Sequence, residues 1–290
     1  MKTLLLTGAS GFLGYQFCQH PQSDWNIIGT YHKNPKGIFP GTKAIPLNLL
    51  DSTAIESIIQ KVKPDAVLHL AANSSTGFCE KHPAQSYKIN VIASANLAEI
   101  CTKQNIHLVF TSSEQVYNGA KKTYTDSDEA NPINTYGKQK AEAEKQILKI
   151  RPTAAIARIA VLFGNQENSA YCFMNDWLGK WSRGEEVTAF HDEVRSFLSA
   201  RSAVEALLLL LNKKEKGIFN IGGADAMSRY AFAQLLAENF GYENARIKSL
   251  SRLDIIGGEK RPASLVLDNI RITDLGFEPK SIAEELDSLR

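Results

Sequence analysis

Four cysteines in 290 residues, Cys18, Cys79, Cys101 and Cys172, leave little scope for a disulfide framework, and no two stand at a metal-holding CxxC spacing. They read as reduced thiols of a cytosolic protein. Charge imbalance is missing as well. With 33 basic and 31 acidic residues the chain carries +2, which gives no electrostatic case for nucleic acid or an anionic membrane as the main partner. Long apolar runs are absent too. Leu4-Leu5-Leu6 is too short for a secretory h-region, and Ala206 to Leu211 is too short to span a membrane. No repeat or low-complexity linker interrupts the chain. No metal site is expected: consecutive His191-Asp192-Glu193 reads as a solvated loop, because adjacent residues rarely converge on one ion. These absences leave a cytoplasmic enzyme or binding protein.

What is present is alternation. Leu4–Leu6, Asn26–Tyr31, Ala66–Leu70, His107–Thr111 and Ala155–Leu162 are β-rich runs, apolar on both faces as strands of a buried parallel sheet must be. Helix signals lie between them. Thr53 and Glu56 have capping-box spacing, and Ile55, Ile58, Ile59 and Val62 follow as one apolar stripe that Pro64 ends. Pro83 opens a further helix running to about Cys101. Later helical stretches fall near 171–182, 199–212 and 228–240, with a strand and glycine turn over Gly217–Gly223. Trp177 and Trp181, four apart, read as core. The expected fold is α/β: a doubly wound, Rossmann-type parallel sheet over residues 1–165, rejoined by about 190–221, with a smaller, mainly helical substrate domain interleaved over 166–290.

Thr7-Gly8-Ala9-Ser10-Gly11-Phe12-Leu13-Gly14 fits GxxGxxG between the first strand and the first helix. Gly8 lets the chain leave the strand at an unusual φ, Gly11 lets backbone approach a pyrophosphate, and Gly14 lets helix pack on strand. The helix start then offers N–H groups to phosphate. An acid at the end of strand two would bind a ribose diol, yet the sequence there is Thr30-Tyr31-His32-Lys33. Lys33, with His32, can instead pair with a 2′-phosphate. NADP(H) is therefore favoured, with NAD(H) still open.

Tyr136 and Lys140 fit YxxxK in a run of helix formers, so both side chains share one helix face. Tyr117 and Lys121 have the same spacing, but Asn118-Gly119 signals a turn between them. An ammonium beside Tyr136 is expected to lower its pKa and ready it for proton transfer. Ser113, at the end of strand four, is placed to hydrogen-bond a reacting oxygen. Arg195 and Arg261 are candidates to clamp a diphosphate.

Together these residues resemble the extended short-chain dehydrogenase/reductase family and, within it, the dTDP-4-dehydrorhamnose reductase branch. The resemblance covers nearly the whole chain. It runs through Thr7–Gly14, His69–Ala72, Ile89–Val91, Ser112–Gly119 and Asn131–Lys140, then Arg195–Phe197, Gly217–Gly223, Ser228–Tyr230 and Arg261-Pro262 with Leu267–Asn269. It implies reduction of a 4-keto group on a nucleotide sugar by NAD(P)H, with Ser113, Tyr136 and Lys140 catalytic. It implies that Asn90 orders the cofactor side, that Asn48, Leu49, Leu70, Ala71 and Ala72 line it, and that Glu114 and Gln115 face the sugar. It leaves a homodimer open. Departures from the branch bear on the site: Ser113 stands for Thr, Gln115 for a sugar-facing Tyr, Val161 for a sugar-facing Trp, and Asn48 for Asp. Two other readings share these motifs. One is an NAD-dependent nucleotide-sugar epimerase or dehydratase. The other is a non-catalytic NADP-binding regulatory subunit similar to the β subunit of methionine adenosyltransferase.

Overall fold

In the computed structural model, which describes residues 1–21, 24–165, 171–255 and 259–290, seven strands form one sheet. They are β1 (Lys2–Thr7), β2 (Trp25–Tyr31), β3 (Lys43–Pro46), β4 (Ala66–His69), β5 (His107–Ser113), β6 (Ala155–Ile159) and β7 (Gly217–Ile221). The order is β7-β6-β5-β4-β1-β2-β3, and every neighbouring pair is parallel. The chain therefore winds outward in both directions from β1. A crevice opens at the carboxyl ends of β1 and β4, where the order reverses.

Side chains along a strand alternate between faces, and the sheet uses both. Leu4 and Leu6 of β1, with Ala66 and Leu68 of β4, enter one hydrophobic cluster, while Leu5 and Val67 enter the other. All six are essentially inaccessible, and each buried leucine contributes about 2–3 kcal/mol. Polar contact across the crevice is uncharged. Thr7 Oγ1 lies 2.6 Å from His69 Nδ1, and His69 Nε2 lies 3.0 Å from Ser94 Oγ. Burial pushes the His69 imidazole down to about 3, with Lys140 adding to the effect.

Helices cover the faces: α1 (Phe12–Gln19), α2 (Ser52–Val62), α3 (Ala93–Lys103) and α4 (Thr135–Ile150). The capping box expected at Thr53 and Glu56 is replaced by Asp51, whose carboxylate accepts the Ala54 N–H at 2.9 Å; a carboxylate two residues earlier is the stronger acceptor for the free first-turn amides. Lys63, left-handed at φ 50°, closes α2 just before Pro64. The helix that Pro83 opens reaches Lys103 through a π turn at Lys88–Ile92, and Asn90 sits on that turn.

The strand expected over Ala155–Leu162 is shorter. After Ile159 the Ala160 amide bonds Ile221 O at 2.9 Å, and the chain leaves the sheet so that Leu162–Phe163 pairs with Leu198–Ser199. Among the later helices are α5 (Phe173–Ser182), α6 (Ala200–Asn212) and α7 (Arg229–Asn239). α6 packs on the sheet through Val204, Leu207 and Leu211. α5 and α7 instead build a third cluster with Phe163, Phe197, Phe232 and both Trp177 and Trp181, which are core residues. Among the described residues no helix is long and apolar enough to cross a membrane.

Candidate active site

A cleft of about 950 Å³ runs along the carboxyl ends of the strands. One end is made largely of backbone. Gly8 leaves β1 at φ +76°, a conformation side-chain-bearing residues avoid, and a Cβ there would stand 2.9 Å from the Ala71 backbone. α1 begins at Phe12 with Gly11 as its cap residue and no side chain capping it, so its first-turn amides are left for an anion. Ser10, Leu13 and Gly14 line the same wall, with Leu70, Ala71 and Ala72 opposite. Tyr31, His32, Asn48 and Leu49 line the far end. The structure differs from expectation at Lys33. It is exposed and does not line the cleft, because the chain turns outward after β2 into the Asn34–Gly37 turn. Asn90 does not line it either. Its buried side chain accepts the Asn73 N–H at 2.8 Å and donates to Asn73 O and Gln139 Oε1, fixing a loop that does line it.

The expected reactive set meets at mid-cleft. Ser113 ends β5, Tyr136 lies in the first turn of α4, and Lys140 lies one turn on. The Ser113 hydroxyl lines the cleft beside the Tyr136 phenol and accepts the Gln115 N–H at 3.2 Å. Asn134 caps α4, accepting the Gly137 N–H at 2.8 Å while donating to Gln115 Oε1 at 2.8 Å. A Cβ on Gly137 would collide with Gln115 O, so glycine is what lets α4 start against the Ser113–Gln115 turn. Asn134 was readable as an N-cap two residues before Tyr136, but not as the partner of Gln115. Tyr117, the competing YxxxK tyrosine, is fully buried and bonded to Arg158 and Asn220, away from the cleft.

Electrostatics here depart from the sequence expectation. Burial raises the Tyr136 phenol well above its usual range, and only the neighbouring Ser113 hydroxyl opposes it. Burial also pushes Lys140 down to about 7, against the opposing pull of Glu144; its ammonium sits 4.2 Å over the Phe110 ring. The same desolvation that penalises the phenolate thins the lysine charge meant to stabilise it. Tyr136 is therefore a protonated phenol at neutral pH.

The other end of the cleft is built of charges. Arg195, expected as a free diphosphate clamp, is buried and already bound: Nε meets Glu114 at 3.2 Å, Nη2 meets Glu193 at 3.5 Å, and three main-chain carbonyls take its remaining N–H groups. Arg261 pairs with Glu193 and Glu259, both at 3.0 Å. Glu114 sits beside Ser113 with Oε1 on Arg195, while its buried Oε2 makes no hydrogen bond. Burial outweighs Arg195 and raises Glu114 to about 7. Sequence reasoning missed Arg229, half-buried in the wall, and Glu193, which it left in a solvated loop. His191 bonds Ser249 and Asp192 bonds Ser251, so the three neighbours diverge. Gln115 and Val161 both line the cleft.

A parallel sheet of this order, a glycine loop at its switch point and a Ser-Tyr-Lys set in one cleft define an extended short-chain dehydrogenase/reductase. The chain belongs to the RmlD substrate binding domain family, whose model matches residues 1–289. Among curated relatives, the bovine methionine adenosyltransferase 2 subunit beta (Bos taurus) is 29% identical over 283 residues, covering 95% of this chain and 83% of the relative. A probable low-salt glycan biosynthesis reductase of Haloferax volcanii is 25% identical over 292 residues, covering 98% and 96%. A solved dTDP-4-dehydrorhamnose reductase from Clostridium acetobutylicum superposes with a TM-score of 0.85 at 26% identity, covering 99% of this chain and 98% of that one.

Proposed function

We propose that this protein is an NAD(P)H-dependent reductase of a 4-keto sugar carried on a nucleoside diphosphate, resembling dTDP-4-dehydrorhamnose reductase. The observation that carries the reading is the convergence of Ser113, Tyr136 and Lys140 on the middle of one cleft, with Lys140 one turn along α4 from Tyr136. Residues 1–165, rejoined by 190–221, would hold the dinucleotide, and residues 166–290 the sugar end. The Gly8–Gly14 cradle, which any Cβ at Gly8 or Gly14 would obstruct, fits a pyrophosphate. Tyr31 and His32 at the β2 end, with no acid, favour NADP(H).

A nicotinamide dinucleotide held along the Gly8–Gly14 cradle would supply hydride equivalents for the keto carbon. Ser113 donates a hydrogen bond to the carbonyl oxygen. Tyr136, held as a neutral phenol by burial, gives that oxygen its proton, so C=O becomes CH–OH and phenolate remains. Protonated Lys140 stabilises the phenolate and holds the cofactor ribose. Tyr136→Phe should lower turnover by about 10²–10⁴-fold while leaving NADPH affinity near intact. Unchanged turnover would sink the assignment.

A second reading has its own support: the 29% identity to methionine adenosyltransferase 2 subunit beta. On it the cleft holds NADP(H) without turning over a sugar, and the chain regulates a synthetase. Copurification with a methionine adenosyltransferase catalytic subunit, and no NADPH consumption with any keto sugar, would favour it. Retained NAD and no net NADPH consumption, with sugar turned over, would point instead to an epimerase or dehydratase.

A further inference from the structure

Three arginines line the sugar end of the cleft, and two of them are engaged. Arg195 is held by Glu114, Glu193 and main-chain carbonyls, and Arg261 by Glu193 and Glu259. Arg229 differs. It opens α7 as the first residue after the Ser228 cap, and its guanidinium lies 4.7 Å over the Phe173 ring and 5.4 Å over Trp177. Among the described residues no side-chain hydrogen bond or ion pair engages it. Phe173 and Trp177 pack edge-to-face on each other, so together they form one aromatic wall beside the guanidinium, and contact with aromatic carbon supplies none of its five N–H donors with an acceptor.

Phe173, Trp177 and Phe232 are mutually packed in the third hydrophobic cluster, so the surface under Arg229 is rigid. Burial against this wall disfavours the guanidinium charge, as do Arg195 and Arg261, and the nearby Glu193 and Glu114 carboxylates offset this only in part, so a further anion would be favoured there. A planar fork of donors matches two phosphate oxygens better than it matches a hydroxyl. The family resemblance points to Arg195 and Arg261 for this task, yet in this chain carboxylates have taken both.

We propose that Arg229, held in the cleft wall beside the Phe173–Trp177 face, binds the diphosphate of the substrate and sets selectivity for phosphorylated over free sugars. The proposal rests on the nucleotide-sugar reading above and names the residue that recognises that class. Its test needs no turnover. Calorimetric titration of the full chain with dTDP and UDP, with thymidine and uridine as phosphate-free controls, is run on wild type, Arg229→Gln and Arg229→Lys. NADPH titration reports whether each variant is folded.

Arg229→Gln should weaken both nucleoside diphosphates by about 10- to 100-fold, with NADPH affinity within about twofold and the nucleosides unaffected. Arg229→Lys, which keeps charge but loses the fork, should fall between. Diphosphate affinity in Arg229→Gln within about twofold of wild type overturns the role of Arg229 and leaves the nucleotide-sugar reading standing. Equal loss of nucleoside and diphosphate also overturns it, since the arginine would then serve only packing. Wild type that binds neither diphosphate at millimolar concentration overturns both. If Arg229→Gln loses NADPH as well, Arg229→Lys decides: wild-type diphosphate affinity there overturns the proposal.

Discussion

The two ends of the cleft solve recognition in opposite ways. The cofactor end is backbone and small side chains: Gly8, Gly11, Gly14, Ala71 and Ala72 around an uncapped helix start. No arginine precedes Arg151 in the chain, so on the proposed reading phosphate recognition at that end would fall to N–H groups and to residues such as Ser10 and His32. The other end takes its arginines from the segments after Arg151 and joins them to Glu114 of the earlier half, alternating Glu114, Arg195, Glu193, Arg261 and Glu259. A backbone cradle is formed as soon as the sheet is formed. A chain of buried ion pairs must be assembled from distant segments, and it fails as a unit when one member is lost.

That contrast can be broken experimentally, and the largest effect should come from its sugar end. Arg195→Gln leaves Glu114 and Glu193 buried with one cation fewer, and should cost about 3–5 kcal/mol of stability in urea unfolding. A loss below about 1 kcal/mol would mean that the network is loosely solvated.

Glu114→Gln should act more mildly and with a pH signature. Because burial raises Glu114 from 4.5 to about 7, its neutral form favours the folded state; that contribution is complete below 4.5 and is lost as pH rises through 7. The stability gap should therefore move towards the Gln variant over that window by on the order of 1–3 kcal/mol, then level off. A gap independent of pH would contradict the buried assignment.

At mid-cleft the lysine supplies the next test. Lys140 is lowered to about 7, so its protonated form is lost as pH rises through that value. Under the proposed mechanism kcat/KM should decline above about 7, roughly tenfold per pH unit at the limit. Its desolvation also means that folding favours the neutral amine: that contribution is full above the unfolded value of 10.5 and fades as pH falls through 7. The smallest effect belongs to the cofactor end's outer rim. Lys33→Ala should change NADPH affinity by less than about twofold, because an exposed cation outside the cleft is screened, whereas His32→Ala should change it by more.

Much of the cofactor end was legible from the chain because its determinants are local. Gly8, Gly11 and Gly14 fall within one strand-turn-helix unit, and Tyr136 with Lys140 within one helical turn. Short or sharply bounded elements were harder. β3 is four residues ending in Pro46, too short for periodicity to reveal. The break after Ile159 follows from a pairing with Leu198, far away in sequence. The sugar end was the least legible. Arg195 looked like a free clamp because nothing near it in sequence announces Glu114 as its partner, and Glu193 looked solvated beside His191 and Asp192. Arg229 fell within the Ser228–Tyr230 match, but nothing in the sequence set it apart as a candidate for the cleft. The pKa of Tyr136 was misjudged for a related reason: spacing shows the lysine but not the burial that governs both groups.

The most direct test is NADPH absorbance followed against a panel of 4-keto nucleotide sugars, with wild type and Tyr136→Phe in parallel. The account predicts NADPH consumption with at least one dTDP- or UDP-linked 4-keto sugar, abolished in the variant. No consumption by wild type with any member of the panel, while NADPH still binds, would contradict it.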